Sequence, residues 1–115
     1  MTSIDVQRLG PAFGVAAQLA PEAMAAAAAQ GFRTVINNRP DFEGGPDQPT
    51  SATMQSAALA AGLAYAWLPV APGYQSPEEI ARFRELLATL PKPILAFCRT
   101  GTRSGKLFNA LGRGD

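Results

Sequence analysis

Apolar positions along this chain fall into two patterns. The first is short and continuous: Phe32 to Asn37 (Phe-Arg-Thr-Val-Ile-Asn), Leu63 to Val70, and Ile94 to Phe97. Runs of that length, rich in β-branched and large residues and bounded by glycine, proline or asparagine, predict buried strands. Ile4 to Leu9 and Val15 to Gln18 predict two further short strands, separated by Gly10-Pro11. The second pattern has helical spacing. Ile80, Phe83, Leu86, Leu87 and Leu90 recur on one face, behind the start signal Ser76-Pro77-Glu78-Glu79. There Ser76 caps, Pro77 takes the first helical position and Glu79 completes a capping box. Pro91-Lys92-Pro93 ends that helix.

Three more helices follow from composition and punctuation. One opens at Pro21, runs through the alanines and stops at Gly31, a good C-terminal cap. A thin helix of this kind packs closely on a sheet. A second covers Ser51 to Ala61 and ends at Gly62, and a short last one covers Lys106 to Leu111. Between strand and helix lies a polar loop, Asn38 to Thr50, in which Gly44-Gly45-Pro46 reads as a plain turn. Strands alternating with helices imply an α/β fold: a mainly parallel sheet with helices on both faces. Trp67 and the Ile80–Leu90 stripe read as core. The 115 residues suit one domain, with no internal repeat.

Composition narrows the function by exclusion. Net charge is +1, so no global field points to nucleic acid or an anionic membrane. A single cysteine excludes an intrachain disulfide, and the absence of histidine removes Cys-His dyads, Ser-His-Asp triads and the common zinc sites. The N-terminus lacks a basic region followed by an apolar stretch, and no run is long enough to span a bilayer. The expectation is a soluble cytoplasmic protein with no metal or organic cofactor.

What chemistry remains centres on Phe97-Cys98-Arg99-Thr100-Gly101-Thr102-Arg103-Ser104-Gly105. A lone cysteine after an apolar strand is usually a small core residue. This one stands between a strand and a helix start, where backbone N–H groups lack partners and the helix dipole favours an anion. Arg99 and Arg103 act in the same direction, so the thiol should ionise readily. In parallel sheets, ligands bind beyond the carboxyl ends of the strands, which is where Cys98 falls. Cys98 is the expected nucleophile. The backbone from Arg99 through Thr100, Gly101 and Thr102 to Arg103 is the expected anion cradle. The Arg103 guanidinium should fix the loop and bind the donor's anionic group, while Arg99 points outward. Ser104 is expected to cap the last helix and to hydrogen-bond the thiolate.

The loop resembles two known active sites. Tyrosine and dual-specificity phosphatases carry a cysteine, five residues, then arginine, usually with histidine before the cysteine. Many rhodanese sulfurtransferases carry Cys-x-x-Gly-x-Arg. Here four residues separate Cys98 from Arg103 and Phe97 precedes the cysteine, as in the rhodanese pattern. The rest of the chain resembles a bacterial family between the two, the beta-lactamase hydrolase-like protein, phosphatase-like domain, whose members are also described as sulfur transferases. The matching pieces are Val15-Ala-Ala-Gln18-Leu19 with Pro21-Glu22, Gly31 through Asp41, Tyr65 through Val70, and Phe97 through Ser104. The resemblance implies a cysteine-phosphatase-like (dual-specificity phosphatase-like) α/β fold. It also implies a partner, a persulfide dioxygenase fused to or encoded beside such domains.

Phosphoryl transfer needs an acid for the leaving alkoxide. In the phosphatases an Asp follows the strand corresponding to Tyr65–Val70, but here that place reads Val70-Ala71-Pro72-Gly73-Tyr74. Asp41 or Asp47 would have to reach in from the Asn38–Thr50 loop. Arg39 and Asp41 belong either to the site rim or to a surface ion pair. A sulfane sulfur is smaller, and sulfite or a thiolate leaves without such an acid. The expectation is therefore a sulfurtransferase moving sulfur from thiosulfate or a persulfide to a thiol acceptor through a Cys98 persulfide. The alternatives are a cysteine-dependent phosphatase and an inactive anion-binding or docking module.

Overall fold

The computed structural model describes residues 4–112. Among them lie β1 (Gln7–Gly10), β2 (Phe13–Ala16), α1 (Ala23–Ala29), β3 (Thr34–Asn37), α2 (Ser51–Ala60), β4 (Ala64–Trp67), α3 (Pro77–Thr89), β5 (Ile94–Phe97) and α4 (Thr102–Ala110). The strands form one sheet in the order β1-β2-β5-β3-β4. All pairs are parallel except β1 with β2, which form an antiparallel edge.

The three inner strands β2, β3 and β5 are buried along their whole length, as continuous apolar runs covered on both faces must be. Side-chain alternation splits them between two cores. Val35, Leu95 and Phe97 pack with Met24 and Ala27 of α1 and with Met54 and Ala58 of α2. Ile36, Ile94 and Ala96 pack with Phe83 and Leu86 of α3 and with Leu107 of α4. The alanine run of α1 works as expected: Ala23 and Ala27 bring the helix close to the sheet. The capping box of α3 is present, with Glu79 N–H donating to Ser76 Oγ at 3.1 Å and Ser76 N–H to Glu79 Oε1 at 2.8 Å.

The structure moves several boundaries. The first two strands sit at Gln7–Gly10 and Phe13–Ala16, because the chain reverses tightly at Pro11-Ala12 and the register follows that turn. Helix α1 starts at Ala23, and Pro21 instead accepts from Met24 N–H at 3.1 Å in the turn leading in. The last helix starts at Thr102 rather than Lys106, because Gly101, at φ 90°, turns the chain directly into it. Trp67 is not core: it is 44% exposed. It ends β4, which is an edge strand among the described residues, and its indole N–H donates to the Arg39 carbonyl at 3.0 Å.

Candidate active site

Register builds the site. Ala16 of β2, Phe97 of β5 and Asn37 of β3 lie side by side, so the chain leaves three neighbouring strands at one level. The segments that follow are stitched together by main-chain bonds. Cys98 N–H donates to Ala16 O at 3.4 Å, Asn38 N–H to Phe97 O at 2.8 Å, and Gln18 N–H to Arg99 O at 3.2 Å. Cys98 is thus the first residue past the central strand, flanked by Gln18 and by Asn38-Arg39.

From Cys98 the loop turns through Gly101 into α4. Only a residue tolerating φ 90° fits there, which favours glycine. This turn aims Gly101 N–H at Cys98 Sγ, 3.1 Å away. Burial pushes the thiol up, but hydrogen bonding from the amides of Ser104, Thr100 and Arg103 and from the Ser104 hydroxyl outweighs it, and the pKa falls below its ordinary value. Cys98 has no exposed surface, as a core cysteine would not, yet a core thiol has no reason to collect amide donors.

Ser104 is fully buried as the third residue of α4 and does not cap it; Gly101 holds the cap position. Its hydroxyl donates to Asn38 Oδ1 at 2.8 Å, while Asn38 Nδ2 donates to Leu68 O at 2.9 Å. The hydroxyl has one proton, so at any moment it serves either Asn38 Oδ1 or the Cys98 thiolate. Thr100 and Thr102 brace the loop from outside, their hydroxyls 3.0 Å apart. Arg99 is exposed, as expected for a side chain pointing outward.

Arg103 is buried, and its closest partner is a carboxylate that the sequence pattern does not single out. Its Nη1 and Nη2 donate to Glu43 Oε2 and Oε1, both at 2.7 Å, and Nη1 also donates to the Val70 carbonyl at 2.9 Å. Arg39 grips the same carboxylate, its Nε donating to Oε1 at 2.8 Å, while its Nη1 reaches Gln18 Oε1 at 3.1 Å. The Arg103 hydrogen bond, then that of Arg39, hold Glu43 ionised and lower its pKa to about 2. Glu43 in turn raises that of Arg103, with a smaller contribution from the nearby Cys98. The geometry leaves Arg103 Nε–H and one Nη2 proton free of these partners.

The remaining loop residues explain how Glu43 gets there. Gly44 N–H donates to Gln48 Oε1 at 2.7 Å, and Gln48 Nε2 donates to Pro40 O at 2.8 Å, which folds the loop back on itself. A Cβ at Gly44 would lie 2.7 Å from Arg39 Nη2, so a side chain there would push the guanidinium out of its place. Asp41 turns away from the cysteine, its Oδ1 accepting from Ser51 N–H at 2.7 Å at the start of α2. Arg39 is neither a rim residue nor a surface pair: it is buried and acts inside the cluster. Opposite charges at Arg39 and Glu43 were the only signal in the sequence, and a four-residue spacing means little outside a helix.

A parallel sheet with a buried thiol at the end of its central strand, ringed by amides and backed by an arginine, defines a phosphatase-like α/β domain. The model of the beta-lactamase hydrolase-like protein, phosphatase-like domain family matches residues 5–114, and the chain belongs to that family. The curated beta-lactamase hydrolase-like protein of Agrobacterium fabrum is 40% identical over 80 residues, which are 70% of this chain and 18% of that relative. The chain thus spans under a fifth of the relative's length. A crystal structure of a candidate phosphatase from Neisseria meningitidis is 31% identical, with a TM-score of 0.81 over 88% of this chain and 71% of that one. Tk-PTP in its active form has a TM-score of 0.56 at 17% identity, covering 84% of this chain and 63% of that one, a likeness of fold. Among the described residues, no helix is long and apolar enough to cross a membrane.

Proposed function

We propose that the protein is a cysteine-based phosphatase acting on phosphate monoesters. The observation that carries this reading is the Cys98 thiol, held toward its ionised form by amides at the start of α4 beside the clamped Arg103. The phosphatase-like family and the phosphatase-like neighbour from Neisseria meningitidis support it. In the first step the Cys98 thiolate attacks phosphorus, the ester P–O bond breaks, and the alkoxide or phenoxide leaves with the electron pair and takes its proton from water. In the second, water attacks the phosphocysteine, the S–P bond breaks, and phosphate and the thiolate are released. The loop amides and the Arg103 donors not held by Glu43 and Val70 hold the equatorial oxygens, which carry the developing charge. Because Cys98 is covered, the loop around it must open before the substrate seats.

One observation favours a second reading, sulfur transfer. Neither carboxylate nearest the site is placed as an acid: Glu43 is locked in its ionised form and Asp41 is tied to Ser51. On this reading the thiolate attacks the outer sulfur of thiosulfate, the S–S bond breaks and sulfite leaves, giving a Cys98 persulfide. A thiolate acceptor then takes the outer sulfur and restores Cys98. The partners would be a thiosulfate or persulfide donor, a thiol acceptor and a persulfide dioxygenase, in the cytoplasm, where thiols stay reduced. Turnover of an aryl phosphate and of thiosulfate with cyanide, measured side by side for the wild type and Cys98→Ser, decides between the two. Cysteine-dependent phosphate release establishes the phosphatase. A sulfur adduct removable by cyanide, without phosphate release, establishes the sulfurtransferase.

A further inference from the structure

Two carboxylates of the loop after β3 are already engaged: Glu43 by Arg39 and Arg103, and Asp41 by Ser51 N–H. A third carboxylate, Asp5, meets the cysteine loop from the β1–β2 side. The antiparallel register sets Gln7 opposite Val15, which brings the residues just before β1 alongside the chain leaving β2. On its other side that chain is joined to the cysteine loop, with Cys98 N–H on Ala16 O at 3.4 Å. The small side chains of Ala16 and Ala17 and the bare Gly101 leave a cavity of about 360 Å³ among these segments, lined by Asp5 as well as by Thr100 and Gly101. Gly101 also touches the nucleophile, its N–H 3.1 Å from Cys98 Sγ. A second cavity, of about 310 Å³, shares Asp5 and Ala17 with the first and is lined further by Gln18 and Leu19. Asp5 is the one charged side chain lining either cavity, and among the described residues its carboxylate takes no hydrogen bond and joins no ion pair.

We infer that Asp5 and this cavity form a subsite for an ammonium group on the non-transferred part of the substrate, so that the protein favours phosphate esters of short amino alcohols over those of uncharged alcohols. The inference deepens the phosphatase reading and rests on the phosphate seating at Cys98 and Arg103. A carboxylate without a protein partner, in a cavity of small-molecule size, gains an ion pair from a bound cation and gives up no protein contact for it. Because Gly101 borders both the thiol and the cavity, a short linker is enough to join the two charged groups of the substrate.

Calorimetric titration with aminopropylphosphonate and propylphosphonate, which differ in the terminal ammonium, tests it without requiring turnover. The variants are Asp5→Asn, which keeps the side chain's shape and removes its charge, and Glu78→Gln, which removes a charge from the first turn of α3 and lines neither cavity. The wild type and Glu78→Gln should bind aminopropylphosphonate about fivefold more tightly than propylphosphonate, and Asp5→Asn should bind the two within about twofold. Equal binding by the wild type, an undiminished preference in Asp5→Asn, a preference lost equally in Glu78→Gln, or binding of neither phosphonate overturns the subsite. Hydrolysis of phenyl phosphate in a parallel arm tests the other reading alone. An ammonium preference without cysteine-dependent turnover overturns the phosphatase and supports the subsite, and turnover without the preference does the reverse.

Discussion

The cysteine loop, residues 98–104, and the loop after β3, residues 38–50, meet in the Arg103–Glu43 ion pair and the Ser104–Asn38 hydrogen bond but are encoded in different ways. The cysteine loop is a contiguous signal. Strand, cysteine, Gly101 and Arg103 follow one another, and local rules are enough to place amides around a thiol. The loop after β3 has the composition of an ordinary polar turn, and its contribution, Glu43, becomes visible only when the sheet order sets β3 beside β5. A cysteine set at a helix start is visible in sequence alone, whereas the carboxylate that holds a neighbouring arginine can come from anywhere the topology allows.

The largest expected effects lie in the cysteine loop. Cys98→Ser should abolish turnover in whichever assay is active, a loss of at least about 10³-fold. Arg103→Lys should lose about 10²- to 10³-fold while staying folded, because an ammonium cannot hold the Glu43 carboxylate and an anion with one planar fork. Steady-state kinetics alongside circular dichroism checks both, and near-normal rates for Arg103→Lys would remove the guanidinium from the site.

The loop after β3 should respond less, through Arg103. Glu43→Gln should cut turnover about 10- to 100-fold, since it leaves two guanidiniums without a shared anion. It should also cost about 1–3 kcal/mol in denaturant unfolding. Acid unfolding sharpens the comparison. Folding lowers the pKa of Glu43 from 4.5 to about 2, so its contribution is complete above about 4.5 and disappears as pH falls through about 2. The wild type should lose stability across that window, and Glu43→Gln should flatten this part of the curve. An unchanged acid limb would show that Glu43 does not bear the pair's energy.

Smaller effects separate shape from chemistry. Gly101→Ala places a side chain at φ 90° and should destabilise the protein by about 1–2 kcal/mol while reducing activity. Ser76→Ala removes the α3 cap, far along the chain from the thiol, and should cost about 1 kcal/mol with unchanged turnover. Loss of activity in Ser76→Ala at full folding would contradict the separation of scaffold from site.

Much of the fold was legible because its signals are local. The capping box at Ser76, the glycine stops at Gly31 and Gly62 and the buried runs of β3 and β5 each need only a few neighbours. What failed needed tertiary knowledge. Trp67 has the character of a core residue until β4 proves to be an edge, and Ser104 that of a cap until Gly101 takes that position and Asn38 takes its hydroxyl. Arg39 and Asp41 are equivalent as rim residues in the sequence, yet one reaches inward to Glu43 and the other back to Ser51. Charge type alone does not choose between such partners; backbone placement does.

An ionised Cys98 is the central claim, and the ultraviolet absorbance of its thiolate, titrated against pH in the wild type with Cys98→Ser as the blank, tests it most directly. As the chain has one cysteine, the difference reports one group. A midpoint clearly below the value of a free thiol, about 8.5, is predicted. A midpoint at or above it would mean that burial outweighs the amide cradle, and Cys98 would then be a core residue rather than a nucleophile.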